Sequence, residues 1–222
     1  VTLDGQSAGF RRDGNRLIVA TPGVKKGQII EIATKYTQAN AKGVGFGQGG
    51  GGWHWIEPTP DKPQRTGFWT QGETGYNSQW APTWDYPNDM ATSRVRCTVP
   101  ATWECIGNGV LTSSKVKGDR KTVEWTMTQP HATYLLSLVG GPLDVKKDKW
   151  EGVDLWYVVP QGKANLIEGS YGHTKDMLTF FSEVTGVKYP WPKYAQSSMY
   201  DFGGGMENVS ATTLGQDSLT EE

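Results

Sequence analysis

The spacing of apolar residues changes near Pro160, and this change constrains the fold more than any other feature. Before Pro160, apolar and polar residues mostly alternate, as in residues 121–128 and 154–159, which is typical of strands with one covered face. A chain of 222 residues is long enough for one large domain or two smaller ones. We therefore predict a mainly β region of antiparallel strands over residues 1–160 and an α/β region over residues 161–222.

A single amphipathic helix is predicted over residues 163–186. Its buried stripe has helical spacing and consists of Ile167, Tyr171, Thr174, Leu178 and Phe181. Gly186 suits the left-handed position that follows a helix, and Pro190 prevents the helix from continuing.

Several local patterns predict individual strands and loops. Residues 93–99 and 105–110 are predicted to pair around the turn between them. Residues 28–37 alternate like a strand, and residues 133–139 form a continuous apolar run that is typical of a strand covered on both faces. The glycine-rich residues 43–52 are predicted to form an exposed loop.

Composition excludes several function classes. The net charge is −1 with no basic block, so we expect no nucleic-acid partner. No apolar run is long enough to cross a bilayer, so we expect no membrane partner. The N-terminus has no signal pattern, and the compartment stays undecided. Cys97 and Cys105 can be two separate buried thiols or can pair as a disulfide in an oxidising compartment, and the sequence does not decide between these alternatives.

The histidines and tryptophans bear on binding. His54, His131 and His173 are widely separated, whereas a catalytic zinc site normally uses at least two histidines at helical spacing. We therefore expect no metal ligands, no catalytic residues and no bound zinc in this chain. The ten tryptophans fit either core packing of a β-domain or an aromatic sugar-binding face, and packing is the preferred interpretation.

A glycine-rich segment near the end of the chain, residues 203–208, has the character of a ligand-binding strand. Adjacent glycines such as Gly204 and Gly205 remove side chains that block another backbone, so an extended ligand can hydrogen-bond to the main chain. The carboxylate of Glu207 can then pair with a cationic ligand terminus. The alternative is an ordinary glycine turn with a solvated glutamate, which composition alone favours.

The segment Gly204-Gly205-Met206-Glu207-Asn208 resembles the GxMEN exopeptidase signature of the gluzincin aminopeptidases, the family of aminopeptidase N and leukotriene A hydrolase. Further segments resemble family motifs in the same order: Thr70-Gln71-Gly72-Glu73, Trp80-Ala81-Pro82, and residues 84–89, 103–111, 130–135 and 189–194. This ordered resemblance extends over about residues 65–213.

The resemblance implies a substrate-binding set made of Gln71, Glu73, Gly204, Gly205, Met206, Glu207 and Asn208. Glu207 is implied to bind the α-ammonium group of a peptide, which restricts cleavage to one residue from its N-terminus. Glu73 is implied to be its partner from the β-domain, with Gln71 beside it, while Gly204 and Gly205 provide backbone contacts. The implied partner is therefore a peptide with a free N-terminus.

The family also carries an H-E-x-x-H zinc motif and a later glutamate that this sequence lacks. The resemblance implies an antiparallel β-sandwich or saddle domain, followed by the opening helix and strands of a thermolysin-like α/β domain. We expect the chain to be a fragment of a zinc metalloaminopeptidase, cut at both ends and inactive by itself, with zinc only in the complete parent. Self-association through exposed apolar surface is also expected.

Two other function classes are kept open. One is a non-catalytic aminopeptidase-like scaffold that uses the same β-saddle for interactions. The other is a tryptophan-rich carbohydrate-binding domain, which leaves the helix and the GxMEN segment unexplained. An intact amine-binding set favours the peptidase over the scaffold, because a scaffold has no need of a free-amine site.

Overall fold

The structure, a computed structural model, describes residues 1–38 and 51–220. The chain is divided into two compact units, residues 1–40 and 41–222. Most of the predicted loop over residues 43–52 lies outside the described residues. Strands dominate the described residues, which confirms the prediction of a mainly β fold.

The first unit contains five short strands: β1 (Thr2–Leu3), β2 (Gln6–Ser7), β3 (Phe10–Asp13), β4 (Arg16–Val19) and β5 (Ile32–Ala33). Strand β1 pairs antiparallel with both β2 and β5, and β3 pairs with β4. The prediction of a strand over residues 28–37 is wrong except at β5. Only Ile32 and Ala33 pair with another strand there, and Ile29 is 95% exposed, so no covered face sustains a longer strand.

The second unit contains three sheets and two helices among its described residues. Its elements are β6 (Gly52–Ile56), β7 (Gly67–Gln71), β8 (Met90–Pro100), β9 (Glu104–Gly107), β10 (Val110–Lys117), β11 (Arg120–Ala132), β12 (Leu138–Gly141), β13 (Leu143–Trp150), β14 (Val153–Pro160), α1 (Ile167–Tyr171), α2 (Thr174–Thr185), β15 (Lys193–Met199), β16 (Gly205–Met206) and β17 (Ala211–Gly215). The sheet orders are β10-β11-β8, β6-β7-β12-β9 and β13-β14-β15-β17-β16.

The predicted pairing of residues 93–99 with 105–110 is wrong. Strand β8 pairs with β11, where Cys97 lies opposite Val123, whereas β9 pairs with β12, where Cys105 lies opposite Gly140. The turn between β8 and β9 therefore carries the chain from one sheet to another instead of closing a hairpin. Sequence alternation identifies strands but not their partners, because each partner lies far away in the chain.

The prediction of one strand over residues 133–139 is also wrong. Residues Thr133–Leu135 form a 3₁₀ turn, and the strand begins only at Leu138. The Asn77 side chain donates from Nδ2 to the carbonyls of Thr133 (2.6 Å) and Leu136 (3.0 Å). These backbone carbonyls are therefore satisfied by a side chain instead of by a neighbouring strand.

The five-stranded sheet is mixed. Strands β14, β15 and β17 are parallel, whereas the outer strands β13 and β16 run antiparallel to their neighbours. Helices α1 and α2 lie in the connection between the parallel strands β14 and β15, as a parallel pair requires. The domain boundary predicted near Pro160 stays a prediction, and strands from both sides of it share this sheet.

The predicted helix forms in two pieces. The break falls at Gly172 and His173, and the Thr174 hydroxyl donates to the carbonyl of Tyr171 across it (2.7 Å). Gly186 has φ +68°, the left-handed helix end that the sequence predicts. The first residues of the predicted stripe are buried, but Phe181 is 60% exposed, so its predicted burial is wrong.

Tryptophan packing fills the core of the second unit. Trp69 and Trp125 are at most 1% exposed, and Trp125 Nε1 donates to the carbonyl of Cys105 (2.9 Å). Burial of both indoles with their N–H groups satisfied agrees with the packing interpretation.

No helix in the described part of the chain combines the length and the apolar character that a membrane span requires.

Candidate functional site

The glycine-rich segment forms the outer strand of the five-stranded sheet. Strand β16 pairs with β17 on one side, with Gly205 opposite Leu214 and Met206 opposite Thr213. Gly204 has φ +74°, which favours glycine, and a Cβ atom on Gly205 would lie 3.0 Å from the Leu214 side chain. Both glycines are exposed. The other edge of this strand can therefore accept an extended chain through main-chain hydrogen bonds.

Side-chain alternation along this segment presents one carboxylate to solvent. Met206 and Asn208 are buried at 1% and 2% exposure, whereas Glu207 between them is exposed. Asn208 donates from Nδ2 to the Thr213 hydroxyl (3.2 Å), and its buried Oδ1 has no hydrogen-bond partner. Buried anchors on both sides hold the Glu207 backbone while leaving its carboxylate available.

Strand β7 runs beside the start of this segment. Trp69 donates from Nε1 to the carbonyl of Tyr200 (3.0 Å) and packs edge-on against Phe202, with ring centroids 5.0 Å apart. Gln71 lies two residues further along β7 and therefore shares the face of Trp69. Its side chain is fully buried, and neither Nε2 nor Oε1 has a hydrogen-bond partner.

An ion pair joins the same two regions. The Asp201 carboxylate binds Arg65 and lies 3.8 Å from His54 Nε2. His54 also stacks on Trp69, with ring centroids 4.4 Å apart. These contacts fix the chain just before the glycines against β6 and β7, and they give His54 a packing role.

Residues 133–137, here called the connecting turn, link the segments that carry the two predicted acidic residues. Gly72, which precedes Glu73, lies so close to the turn that a Cβ atom on it would be 2.2 Å from the Tyr134 carbonyl. On the other side, Asn108 donates from Nδ2 to the carbonyls of Leu135 (2.9 Å) and Val209 (2.7 Å). The turn is thus in contact with one segment and, through Asn108, bonded to the other.

The predicted site residues occupy two neighbouring stretches of one compact unit. Glu73 is partly buried after β7, and Glu207 is exposed after β16. Within residues 1–38 and 51–220, neither carboxylate belongs to an ion pair. The meeting of these carboxylates at one ligand remains a prediction.

Sequence reasoning missed Asn77 and Asn108. Both are buried asparagines whose amides bind backbone groups of the connecting turn, and Asn108 Oδ1 also accepts from the Ser137 N–H (2.7 Å). Asn108 lies in the segment that resembles a family motif, between Gly107 and Gly109, but a Gly-Asn-Gly sequence indicates a turn and gives no indication of these distant partners.

The described residues do not fit a catalytic zinc ion. No group of three His, Cys, Asp or Glu side chains lies close enough together in that part of the chain to hold a metal. His131 is buried, with its Nδ1 3.0 Å from the Gln129 carbonyl oxygen, and the exposed His173 lies 3.1 Å from Asp176. All three histidines, with His54 stacked on Trp69, thus have local contacts that account for their positions.

A family profile and related sequences match this chain. The profile of the Peptidase M1 N-terminal domain matches residues 57–135. Aminopeptidase M1 of Arabidopsis thaliana is 29% identical over 152 residues, which are 68% of this chain and 17% of that protein. Aminopeptidase N of Acetobacter pasteurianus is 30% identical over 125 residues, which are 56% of this chain and 35% of that protein. The chain spans far less than two thirds of either relative.

Solved structures share the fold. An M1 zinc metallopeptidase mutant from Deinococcus radiodurans, bound to a Tyr-Ser-Ala substrate, superposes with a TM-score of 0.78 at 23% identity. The same mutant enzyme in another crystal structure gives 0.77. Each superposition covers 99% of this chain and 50% of the other, so the likeness in fold extends over nearly all of the 222 residues.

Proposed function

We propose that this chain supplies the part of a zinc aminopeptidase that holds the free N-terminus of a peptide. The premise is that the chain belongs to the aminopeptidase N-like gluzincin family, which these matches support. Glu207 and Glu73 bind the α-ammonium group in this proposal. The exposed edge of β16 binds the first residues of the peptide through backbone hydrogen bonds.

One observation carries the proposal: the connecting turn links the two acidic segments, one by direct contact and the other through Asn108. It contacts Gly72 directly before Glu73, and through Asn108 it binds Val209 shortly after Glu207. These contacts are short and largely buried, so the relative positions of the two segments are fixed within one compact unit. A fixed pair of carboxylates is what recognition of a single ammonium group requires.

Electrostatics explains why such a site selects a free amine. An ammonium group leaving water must be compensated by negative charge and hydrogen-bond acceptors. The carboxylates of Glu73 and Glu207 supply the charge, and the buried amide of Gln71 has unused hydrogen-bonding capacity. Removing one partner of such a charge pair typically costs about 2–5 kcal/mol, or roughly 30- to 5,000-fold in Kd.

The test is a binding measurement on the 222-residue chain. Tryptophan fluorescence or calorimetry compares a tripeptide with its N-acetylated form. We expect only the free-amine peptide to bind, and we expect Glu207→Gln and Glu73→Gln each to weaken that binding. In a double-mutant cycle the two changes should be non-additive, because both side chains contact one ammonium group.

Glu151→Gln is the matched control. Glu151 is also an acidic surface residue, but it lies in the hairpin between β13 and β14 and pairs with Lys188. Its substitution removes the same charge and should leave peptide binding unchanged. Equal binding of free and acetylated peptides, or strictly additive effects at residues 73 and 207, would overturn the shared amine site.

We further propose that this chain alone has no peptidase activity, whereas the complete parent hydrolyses peptides with a zinc ion. The described residues hold no three-ligand metal cluster, so the residues that bind zinc and activate water belong to other parts of the parent. Stoichiometric zinc in the purified chain, measured by elemental analysis, would contradict this assignment. In the parent, Glu207→Ala is expected to reduce turnover of free-amine substrates by orders of magnitude.

The non-catalytic scaffold is the less favoured function. The related sequences named above are aminopeptidases, and a scaffold does not require paired carboxylates beside an open strand edge. Binding of a protein partner that is unaffected by both Glu73→Gln and Glu207→Gln would favour the scaffold instead.

A further inference from the structure

Two thiols lie side by side at the junction between two sheets. Cys97 belongs to β8 of the three-stranded sheet and Cys105 belongs to β9 of the four-stranded sheet. Both are free thiols of one apolar core cluster, in which Cys105 is buried and Cys97 packs against the cluster from its edge. Each thiol shifts the pKa of the other, which requires neighbouring side chains, as a disulfide also does.

Strand register explains the proximity. Cys97 lies opposite Val123 on β11, and the next pair on the same face is Val95 opposite Trp125. Trp125 donates from Nε1 to the carbonyl of Cys105 (2.9 Å), which anchors β9 against this face. Trp125 therefore holds the strand of Cys105 beside the sheet face that carries Cys97.

A cavity lies beside the buried member of the pair. A cavity of about 500 Å³ is lined by Cys105 together with Val123 and Trp125, two side chains on the Cys97 face. The ion pair of Lys121 with Glu104 (2.7 Å) forms another part of its wall. Cys97 is partly exposed, whereas Cys105 is 2% exposed.

The two thiols differ in acidity. The hydrogen bond from the Cys105 thiol lowers the pKa of Cys97, and the charge of Arg120 acts in the same direction. That same hydrogen bond, together with burial, raises the pKa of Cys105 well above its ordinary value. The more accessible sulfur thus carries the larger thiolate fraction and is placed to react first, and the buried sulfur is placed to act second.

We propose that Cys97 and Cys105 form a redox-active pair whose co-reactant is a small-molecule disulfide, such as oxidised glutathione, that reaches the partly exposed Cys97 first. The Cys97 thiolate attacks one sulfur of the small disulfide, whose S–S bond breaks and releases one thiolate. Cys105 then attacks the Cys97 sulfur of the mixed disulfide and displaces the second thiolate. The two protons lost by the cysteines are taken up by the two released thiolates, so the protein pair is oxidised and the small disulfide is reduced.

This modification would link the two sheets covalently. The bond would join β8 to β9 across the turn where the chain passes from the three-stranded to the four-stranded sheet. A cross-link restricts the unfolded chain, so the oxidised form should have the higher Tm. The reaction is independent of peptide binding and does not rest on the proposed function.

The test treats the reduced chain with oxidised glutathione and follows its intact mass and its free thiols. We expect a product that lacks two hydrogen atoms, carries no glutathione and no longer reacts with an alkylating reagent. Peptide mapping should identify the Cys97–Cys105 link, and an excess of reduced glutathione should reverse it.

Two variants separate the steps. Cys105→Ser should stop at a stable glutathione adduct on Cys97, because the second thiol is missing. Cys97→Ser should react at least roughly tenfold more slowly, because only the buried thiol remains.

Three results would overturn the proposal: accumulation of the glutathione adduct in the unaltered chain, formation of a disulfide between two chains, or lack of reaction of both thiols until the chain is unfolded. All three are read on the unaltered chain, so they stand even if a variant fails to fold.

Discussion

Asn108 holds the backbone of Val209 by a hydrogen bond of 2.7 Å, from Nδ2 to the carbonyl oxygen, between residues 101 positions apart in the chain. The same amide nitrogen also binds the carbonyl of Leu135 (2.9 Å), and its oxygen accepts from Ser137 (2.7 Å). Because Asn108 is 2% exposed, these bonds form away from water, where an unmatched polar group is costly. This side chain therefore helps to hold the segment that carries Glu207 in position.

Replacing Asn108 should damage stability and peptide binding together. Asn108→Ala leaves buried backbone groups of Leu135, Ser137 and Val209 without partners, so we expect the free energy of unfolding to fall by about 1–3 kcal/mol or more. Urea unfolding measures this change, and peptide titration in the folded range measures the loss of affinity. Asn88→Ala is the control, since the amide of Asn88 bonds on the surface, to Trp84. Equal effects of the two substitutions would contradict the bridging role.

Replacing Gln71 should have a different effect: peptide affinity should fall, while the free energy of unfolding should not. Its amide is fully buried without a hydrogen-bond partner, so Gln71→Met should leave the free energy of unfolding equal or raise it by about 1–3 kcal/mol. Peptide affinity should fall. Thr70→Val is the control, because the Thr70 hydroxyl accepts from the Leu138 N–H (2.9 Å) and its loss should destabilise. A similar loss of stability in both variants would show that the Gln71 amide has a stabilising partner.

Lys193 should give the protein a pH-dependent stability above neutrality. Burial lowers the pKa of Lys193 from 10.5 to about 7, while Nζ donates to the Gly107 carbonyl (2.5 Å) and lies 4.4 Å from the Trp125 ring centroid. Between these two pH values the unfolded chain binds more protons than the folded one. Stability from this group therefore rises with pH through that window, by on the order of 1.4 kcal/mol per pH unit, and is constant below about pH 7.

Urea unfolding at a series of pH values above neutrality checks this slope. Lys193→Met removes the ionisable group and should flatten the rise, whatever its effect on absolute stability. Lys188→Met is the control, since Lys188 is exposed and pairs with Glu151 on the surface. Equal slopes in the unaltered chain and in Lys193→Met would rule out Lys193 as the source.

The exposed face of α2 should cause self-association. Met177, Phe180, Phe181 and Val184 follow helical spacing on one side, and each is more than half exposed. Sedimentation velocity over a concentration series should show that two copies of the chain associate, and Phe181→Glu should weaken that association. Val116→Glu, at an exposed apolar residue on β10, is the control. A chain that stays monomeric at all concentrations would contradict the prediction.

Local features of the fold follow from the sequence. The alternation of residues 121–128 lies within β11, residues 154–159 lie within β14, and Gly186 ends α2 in the left-handed conformation. These features depend on neighbours within a few positions, so periodicity and glycine chemistry are sufficient to find them. The ordered motifs give the family resemblance for the same reason, because each is a short continuous segment.

Strand partners and site geometry were decided by tertiary structure. Residues 93–99 and 105–110 are correctly recognised as largely extended, yet they belong to different sheets, which brings Cys97 against Cys105 across the junction. Nothing in the spacing around Asn108 indicates that it binds Val209, or that Lys193 is buried over Trp125. The sequence indicates which segments can be strands or helix. The partners of these segments lie far apart in the chain. Which of them pair depends on the burial and the hydrogen bonding of many segments at the same time.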